Sequence, residues 1–407
     1  MKKEKLTTIL YIAVTMIFLV GMFPYEDNRP LEDFLTEYRN TVPAGTPVLE
    51  RIQGAIDAAE IIMIRDTYRR EDMNELFGLT QRLLGKSILP DPAYGEIYRT
   101  DFGQITYRVE KKDVSGAVEK TLEFKEKLDQ EGIPLLFVLA PFKVDGDNSG
   151  LPPHVADYAD TNSDRFLTEI REKGVAVLDL RESLRDGNAN QKDLFFDTDH
   201  HWRIETAFDA TWTIGRQLNK AYGFQIDEKL MDIQSYGSKT YEDFFLGSMG
   251  RRTGFRYAGV DDFTYIYPEF PTDMTVEQID GAQHLVTRGD FSASMINPDN
   301  LSPENPPDTN RYAVYKGDHE ELIFRNHLEG EGRILMIKDS FALPVYSFLA
   351  PAVSELRALD MRFFKRNAGD YAADYQPDVV IILYNGDCFN EEMFDFKLEM
   401  RTENEEQ

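Results

Sequence analysis

The stretch RILMIKDSFALPVYSFLAP, residues 333–351, decides the reading of the whole chain. RILMI is an apolar run of strand length, KDS is a turn, and FALPVYSFLAP reads as a helix. A strand that is apolar throughout is covered on both faces, as in a parallel sheet with helices on either side. In open sheets of that kind functional groups gather at the carboxyl ends of the strands. Ser340 stands at such an end, in front of a helix whose N–H groups face whatever its hydroxyl attacks. On this stretch alone an ordinary N-cap serine is the preferred reading, and a base and an orienting acid elsewhere are what change it.

Working outward, the same grammar recurs. SGAVEKTLEFKEKLDQEG (115–132) reads as a helix closed by Gly132, and IPLLFVLA (133–140) as a buried strand. NSDRFLTEIREKG (162–174) and VAVLDL (175–180) repeat the pair. After residue 340, VSELRALDMRFF (353–364) holds a short strand and PDVVIILYNGD (377–387) a buried strand ending in a polar turn. Helices alternating with buried strands predict an α/β domain, a parallel sheet in three αβα layers, from about residue 98 to the C-terminus. Residues 219–325 lack that alternation, carry Gly, Asp, Tyr and Pro in runs such as NPDNLSPENPPDTN, and read as an insertion. Residues 24–97 read as a mostly helical stalk or cap, without visible chemistry.

The N-terminus differs. MKKEK is basic, and residues 6–23 (LTTILYIAVTMIFLVGMF) carry no charge. That length is the lower limit for a membrane span, and no small-residue cleavage site follows. The reading is an uncleaved signal anchor with residues 1–5 cytoplasmic and the remainder extracytoplasmic; a cleaved signal peptide is the alternative. The net charge of −27 rises to −29 once the +2 of residues 1–5 is set aside. Nucleic acid and anionic lipid are poor partners for such a surface, which argues mildly for a neutral or cationic glycan. Cys388 is the single cysteine, so no internal disulfide exists, and it reads as a small buried residue.

FFDTDHHWR, residues 195–203, places two of the six histidines beside two aspartates, just before an amphipathic helix. A serine hydroxyl becomes a nucleophile when an imidazole removes its proton and a carboxylate holds that imidazole. His201 and Asp199 are suited to those parts for Ser340. Asp197 and His200 have an alternative pairing distance. A metal site of Asp197, Asp199, His200 and His201 ranks lower, because adjacent histidines diverge and no further spaced ligands follow. The triad needs neither metal nor cofactor.

TDHHW before a helix, with KDSF after a distant strand, resembles the DHHW family, which is similar to the alginate O-acetyltransferases and belongs with the Ser-Gly-Asn-His (SGNH) hydrolase-like proteins. GSMGRRTG (247–254) and LAPFK (139–143) also look like that family's segments. The resemblance runs over roughly residues 98–390. It implies Ser340 as nucleophile, His201 as base and Asp199 as its acid, in an order permuted relative to the usual serine-first chain. PDVVIILYNGD makes Asn385 the oxyanion donor, beside the Ser340 N–H. The superfamily's oxyanion glycine is missing from LDMRFF, so Arg362 or Arg251 and Arg252 of the GRRTG loop are expected to substitute, with Trp202 a further substrate contact. The implied function is an O-acetyltransferase acting on an envelope or exported polysaccharide, supplied by a multi-pass membrane acyltransferase or an external donor. An acetylesterase and a non-catalytic glycan-binding scaffold are the alternatives.

Overall fold

The structure is a computed structural model that describes residues 70–398, except 145–149, 187–189 and 329, together with scattered positions between 35 and 58. The chain divides into two units, Met1–Thr80 and Gln81–Gln407. The expected anchor and most of the expected stalk lie outside the described residues. Among the described residues no helix is long and apolar enough to cross a membrane.

Helix α1 is Arg70–Leu83, and it is followed by β1 (Ile88–Asp91), β2 (Gly95–Arg99) and β3 (Ile105–Thr106), a small antiparallel sheet. The helical reading of residues 24–97 therefore fails at its end. Leu89, Ile97 and Tyr98 are buried against Leu246, Met249 and Tyr257, so tertiary packing recruits this segment as strands. Next come α2 (Ser115–Gln130), β4 (Leu135–Ala140), α3 (Ala159–Glu172), β5 (Ala176–Asp179) and α4 (Ile204–Ala221). The six residues of β4 are all buried, as their unbroken apolar run requires. Gly132, at φ 71°, makes the left-handed turn out of α2 that leads into β4.

Residues 236–326 supply β6 (Tyr236–Phe245), α5 (Ser248–Thr253), β7 (Asp261–Pro268), β8 (Met274–Asp280), β9 (Gln283–Gly289) and β10 (Glu321–Asn326). The chain closes with β11 (Arg333–Lys338), α6 (Ala342–Leu349), β12 (Glu355–Leu359), α7 (Ala368–Tyr375) and β13 (Val379–Asn385). The main sheet has eight strands in the order β5-β4-β13-β11-β12-β10-β8-β9. The pairs from β5 to β12 are parallel, and those from β12 through β10 and β8 to β9 are antiparallel. The sheet is thus mostly parallel, with an antiparallel edge that the expectation of a parallel sheet with an insertion did not include. Part of the insertion joins the sheet edge, because hairpin strands need no helical crossover to extend it.

Alternate residues of each central strand enter different layers. Leu136 and Val138 of β4, Met336 of β11 and Ile381 of β13 pack with Phe208, Ile214 and Leu218 of α4 and with Val345 and Phe348 of α6. Leu135, Phe137, Leu335 and Ile382 pack on the other face with Phe124 and Leu128 of α2, Phe166 and Ile170 of α3, and Tyr375 of α7. The result is the αβα sandwich that the apolar runs predicted. The parallel strands β4, β11 and β13 end on one edge, carrying Lys143, Ser340 and Asn385 just beyond or at their termini.

Phe137 is fully buried, with ring centroids 5.0 Å from Phe166 and 6.3 Å from Tyr384. Phe137→Ala is expected to lower the unfolding free energy by about 3–5 kcal/mol in urea denaturation.

Candidate active site

Residues 195–202 form a tight loop, closed by the antiparallel bridge between Phe195 and Trp202 and by the Phe196 N–H donating to the His201 carbonyl at 3.2 Å. The loop has no regular ladder, so its polar groups are satisfied from outside. Lys143, just past β4, is buried and places Nζ 2.6 to 3.0 Å from the carbonyls of Ile105, Phe196, Asp197 and Asp199. Burial lowers its pKa to about 8, against the opposing pull of Asp261, Asp197 and Asp199. From the other side, the Asp261 carboxylate accepts the N–H groups of Asp197 and Thr198, each at 2.7 Å, and the Thr198 hydroxyl at 2.6 Å.

α5 closes the loop from above. The Gly247 N–H donates to Thr198 Oγ1 at 2.8 Å, and the Ser248 N–H to Asp199 Oδ2 at 2.6 Å. A Cβ on Gly247 would lie 2.3 Å from Asp199 Cβ, so only glycine allows this approach. The start of the GSMGRRTG motif thus holds Thr198 and Asp199.

Asp199 Oδ1 lies 2.6 Å from His201 Nδ1 and accepts the His201 N–H at 3.0 Å. A carboxylate can only accept, so Nδ1 carries the proton and Nε2 is left free to accept. His201 Nε2 is 2.7 Å from Ser340 Oγ. Burial pushes the Asp199 carboxyl up, but the imidazoles of His201 and His200, with hydrogen bonds from His201 and the Ser248 N–H, offset it and hold the group well below the usual carboxylate range. The His201 ring stacks on Tyr312, centroids 4.1 Å apart and 13° from parallel. Three residues, spread over 141 positions from 199 to 340, form one continuous hydrogen-bonded chain.

The open pairing is decided by this geometry. His200 Nδ1 lies 2.9 Å from Ser248 Oγ, whereas Asp197 Oδ1 accepts Gln104 Nε2 at 3.2 Å. Asp197 also falls outside the metal-capable group; Asp199, His200 and His201 offer ligand atoms within 4.8 Å of one another. Both oxygens of Asp199, both ring nitrogens of His201 and Nδ1 of His200 are engaged in the bonds just described.

The other candidates separate. Asn385 donates its N–H and Nδ2 to Asp339 Oδ2, at 2.7 and 2.8 Å, which braces the turn that presents Ser340. Trp202 is fully buried, and its Nε1 donates to Tyr312 Oη at 2.9 Å and the Phe341 carbonyl at 3.1 Å. The expected substrate contact is therefore a core residue that locks the Tyr312 platform. Arg251 reaches the Asp308 carbonyl at 3.0 Å, and Arg252 binds Asp91 at 3.2 Å. Arg362 turns Nε and Nη2 onto Asp360 at 2.8 and 2.6 Å, with Nη2 also 3.2 Å from Asp318. In this structure those nitrogens are thus engaged within the protein, Arg251 by a carbonyl and Arg252 and Arg362 by carboxylates. Cys388 is buried, and burial pushes its thiol pKa up.

Sequence reasoning missed Ser248, Asp261 and Tyr312. Ser248 lay within a motif already singled out, but its partner could not be read. Asp261 and Tyr312 lie in the irregular segment, where no periodicity marks them.

Two outcomes are expected. Lys143→Met removes the donor from buried carbonyls and is expected to cost about 3 kcal/mol in urea denaturation, with loss of the loop's protection in hydrogen exchange. His200 is the second case. Burial first, then His201, pushes its pKa down to about 3 from the ordinary 6.5, against Asp199. Between those values the unfolded chain binds a proton that the folded chain does not, so stability is full above pH 6.5 and falls as pH drops toward 3. Melting temperatures from pH 7 to 4 should fall less in His200→Asn, whose amide retains a partner for Ser248.

Residues 102–245 match the family model described as the SGNH hydrolase-like domain of acetyltransferase AlgX. That segment holds Asp199 and His201 but not Ser340. No curated protein matches the sequence. The fold is shared with Bacillus cereus PatB1 carrying a sulfonyl adduct, at 22% identity and TM-score 0.61, covering 74% of this chain and 98% of that one. It is shared also with a DHHW family protein from Eubacterium siraeum, at 18% identity and TM-score 0.57, covering 74% and 94%. In sequence and fold together, the chain is similar to the SGNH hydrolase-like proteins of the AlgX and DHHW type.

Proposed function

We propose that this protein is a serine-dependent O-acetyltransferase that acts outside the cytoplasmic membrane on an envelope or exported polysaccharide. The observation that carries the proposal is the Asp199–His201–Ser340 chain, with its 2.6 and 2.7 Å links. Its match to an acetyltransferase family model supports the choice of acyl group. The apolar run at residues 6–23 behind a basic N-terminus supports the location.

Ser340 Oγ attacks the carbonyl carbon of an acetyl ester or thioester as its proton passes to His201 Nε2. The imidazolium gives that proton to the leaving group, and acetyl-Ser340 remains. A sugar hydroxyl then loses its proton to His201 and attacks the acetyl carbon. The bond between the acetyl carbonyl carbon and Ser340 Oγ breaks, and Oγ recovers its proton from the His201 imidazolium. Asp199 keeps the Nδ1 proton in place and stabilises the imidazolium in both halves. Among the described residues the Ser340 N–H has no protein acceptor, which leaves it for the oxyanion; the second hydrogen of the Asn385 amide is the other donor. One anchor helix moves no acetyl group across a membrane, so a multi-pass acyltransferase or an external donor supplies it. Hydrolysis uses the same residues with water as acceptor.

The test is p-nitrophenyl acetate with the full chain, read as a p-nitrophenol burst and as an acetyl adduct on Ser340 by peptide mass spectrometry. Ser340→Ala should lose the adduct, and His201→Ala should slow acylation at least about a thousandfold. A sulfonyl fluoride should label Ser340 and block the burst. A burst equal in all three proteins overturns the proposal, and one abolished by a chelator favours a metallohydrolase.

A further inference from the structure

Three stretches far apart in sequence meet beside the triad without serving the proton path. In the β1–β2 turn, Asp91 Oδ1 accepts the N–H groups of Ala93 and Tyr94 at 2.9 and 3.0 Å. Arg252, at the far end of α5, donates to both Asp91 oxygens at 3.2 Å and sets its guanidinium carbon 5.0 Å from the Tyr94 ring centroid. Tyr94 lies 4.2 Å from Tyr107 in a stacked pair, 23° from parallel. Tyr107 donates to Asp387 Oδ2 at 3.0 Å, and the Asp387 N–H donates to Asn385 Oδ1 at 2.7 Å. The rim therefore joins the triad at both ends. On one side α5 binds Asp199 through Ser248, and on the other Asn385 binds Asp339 beside Ser340.

Tyr94 is 36% exposed, and among the described residues its hydroxyl has no hydrogen-bond partner. The hydroxyls of Tyr107, Tyr257 and Tyr312 nearby are all bonded within the protein. Burial raises the pKa of the Tyr94 phenol, the Arg252 guanidinium opposes this, and the carboxylates of Asp387, Asp199 and Asp91 add to it. A ring held by stacking and a cation, with its polar tip unclaimed, is a pre-ordered contact for a polar ligand. The cations of the rim are matched: Arg252 by Asp91 and Lys112 by Asp387. A polyanion would find no positive excess here, and the whole chain carries −27.

We infer that Tyr94, braced by Arg252 and Tyr107, is an acceptor-contacting residue whose hydroxyl hydrogen-bonds an uncharged pyranose chain and sets which sugar oxygen reaches the acetyl group. This rests on the acetyl-transfer reading of Ser340. Acylation needs no acceptor, so the two ideas separate experimentally. The full chain is given p-nitrophenyl acetate as donor, with chitotetraose as the uncharged acceptor and trigalacturonate as the anionic one. The p-nitrophenol burst reports acylation, and mass spectrometry of the oligosaccharide reports transfer.

Tyr94→Phe keeps the stacked ring and should leave the burst within about twofold of the parent, while raising the KM for chitotetraose roughly threefold to tenfold, the loss of one hydrogen bond. Trigalacturonate should be acetylated more slowly than chitotetraose by the parent. An unchanged KM in Tyr94→Phe with an intact burst overturns the role of Tyr94 and leaves the Ser340 proposal standing. A burst with no acetylated chitotetraose, or with equal transfer to trigalacturonate, overturns the uncharged-acceptor assignment. Absence of a burst in the parent overturns both.

Discussion

The buried ammonium of Lys143 is the constraint on which the site depends. It is the donor shared by the carbonyls of Ile105, Phe196, Asp197 and Asp199. Those four groups belong to β3 and to the loop that carries the acid–base pair. Without a donor there, four oxygens would converge on one buried point and repel one another. With it, the loop is pinned to the end of β4, the strand next to β13 in the sheet. The position of His201 relative to Ser340 follows from that attachment.

Around this pin the labour is divided. The sheet supplies rigidity: β11 delivers Ser340 at its end, and β13 delivers Asn385, which grips Asp339 and fixes the turn. The irregular segment supplies braces. Asp261 caps the loop's N–H groups, Gly247 admits close approach, and Ser248 occupies the second oxygen of Asp199. Tyr312 gives the His201 ring a surface to lie on, and the buried Trp202 holds Tyr312 in turn. Each functional group is thus fixed by neighbours that are themselves fixed, as precise proton transfer requires.

The edge of the sheet is dense in carboxylates, and each is tolerated for a stated reason. Lys338, fully buried, lies 2.5 Å from Asp318 and 2.9 Å from Asp360, and Arg362 bridges the same two acids. Burial raises Asp339, while the Asn385 and Phe341 N–H groups, Arg362 and the Asn385 amide act the other way. Arg362, expected at the oxyanion, is held in this network by Asp318 and Asp360. The charges around the His201 imidazole are thus paired close by.

The alternating helices and apolar strands, the strand–turn–helix around Ser340 and the D-x-H run were legible because each is a local pattern, set by periodicity or by neighbours in the chain. They were enough to name Asp199, His201 and Ser340 and to expect a layered α/β fold. The partners of these residues were not legible. Whether Asp199 or Asp197 serves a histidine depends on Ser248, Gln104 and Gly247, none of which is adjacent in sequence. The strands at 88–99 and 274–289 carry weak patterns and take their form from the surfaces they meet. Trp202 and the three arginines looked free because composition records charge and size but not burial or pairing. Sequence by itself determined the chemistry available and the sheet that presents it; tertiary structure decided which groups face one another, since hydrogen bonds and ion pairs act over a few ångströms and the residues that form them lie tens to hundreds of positions apart.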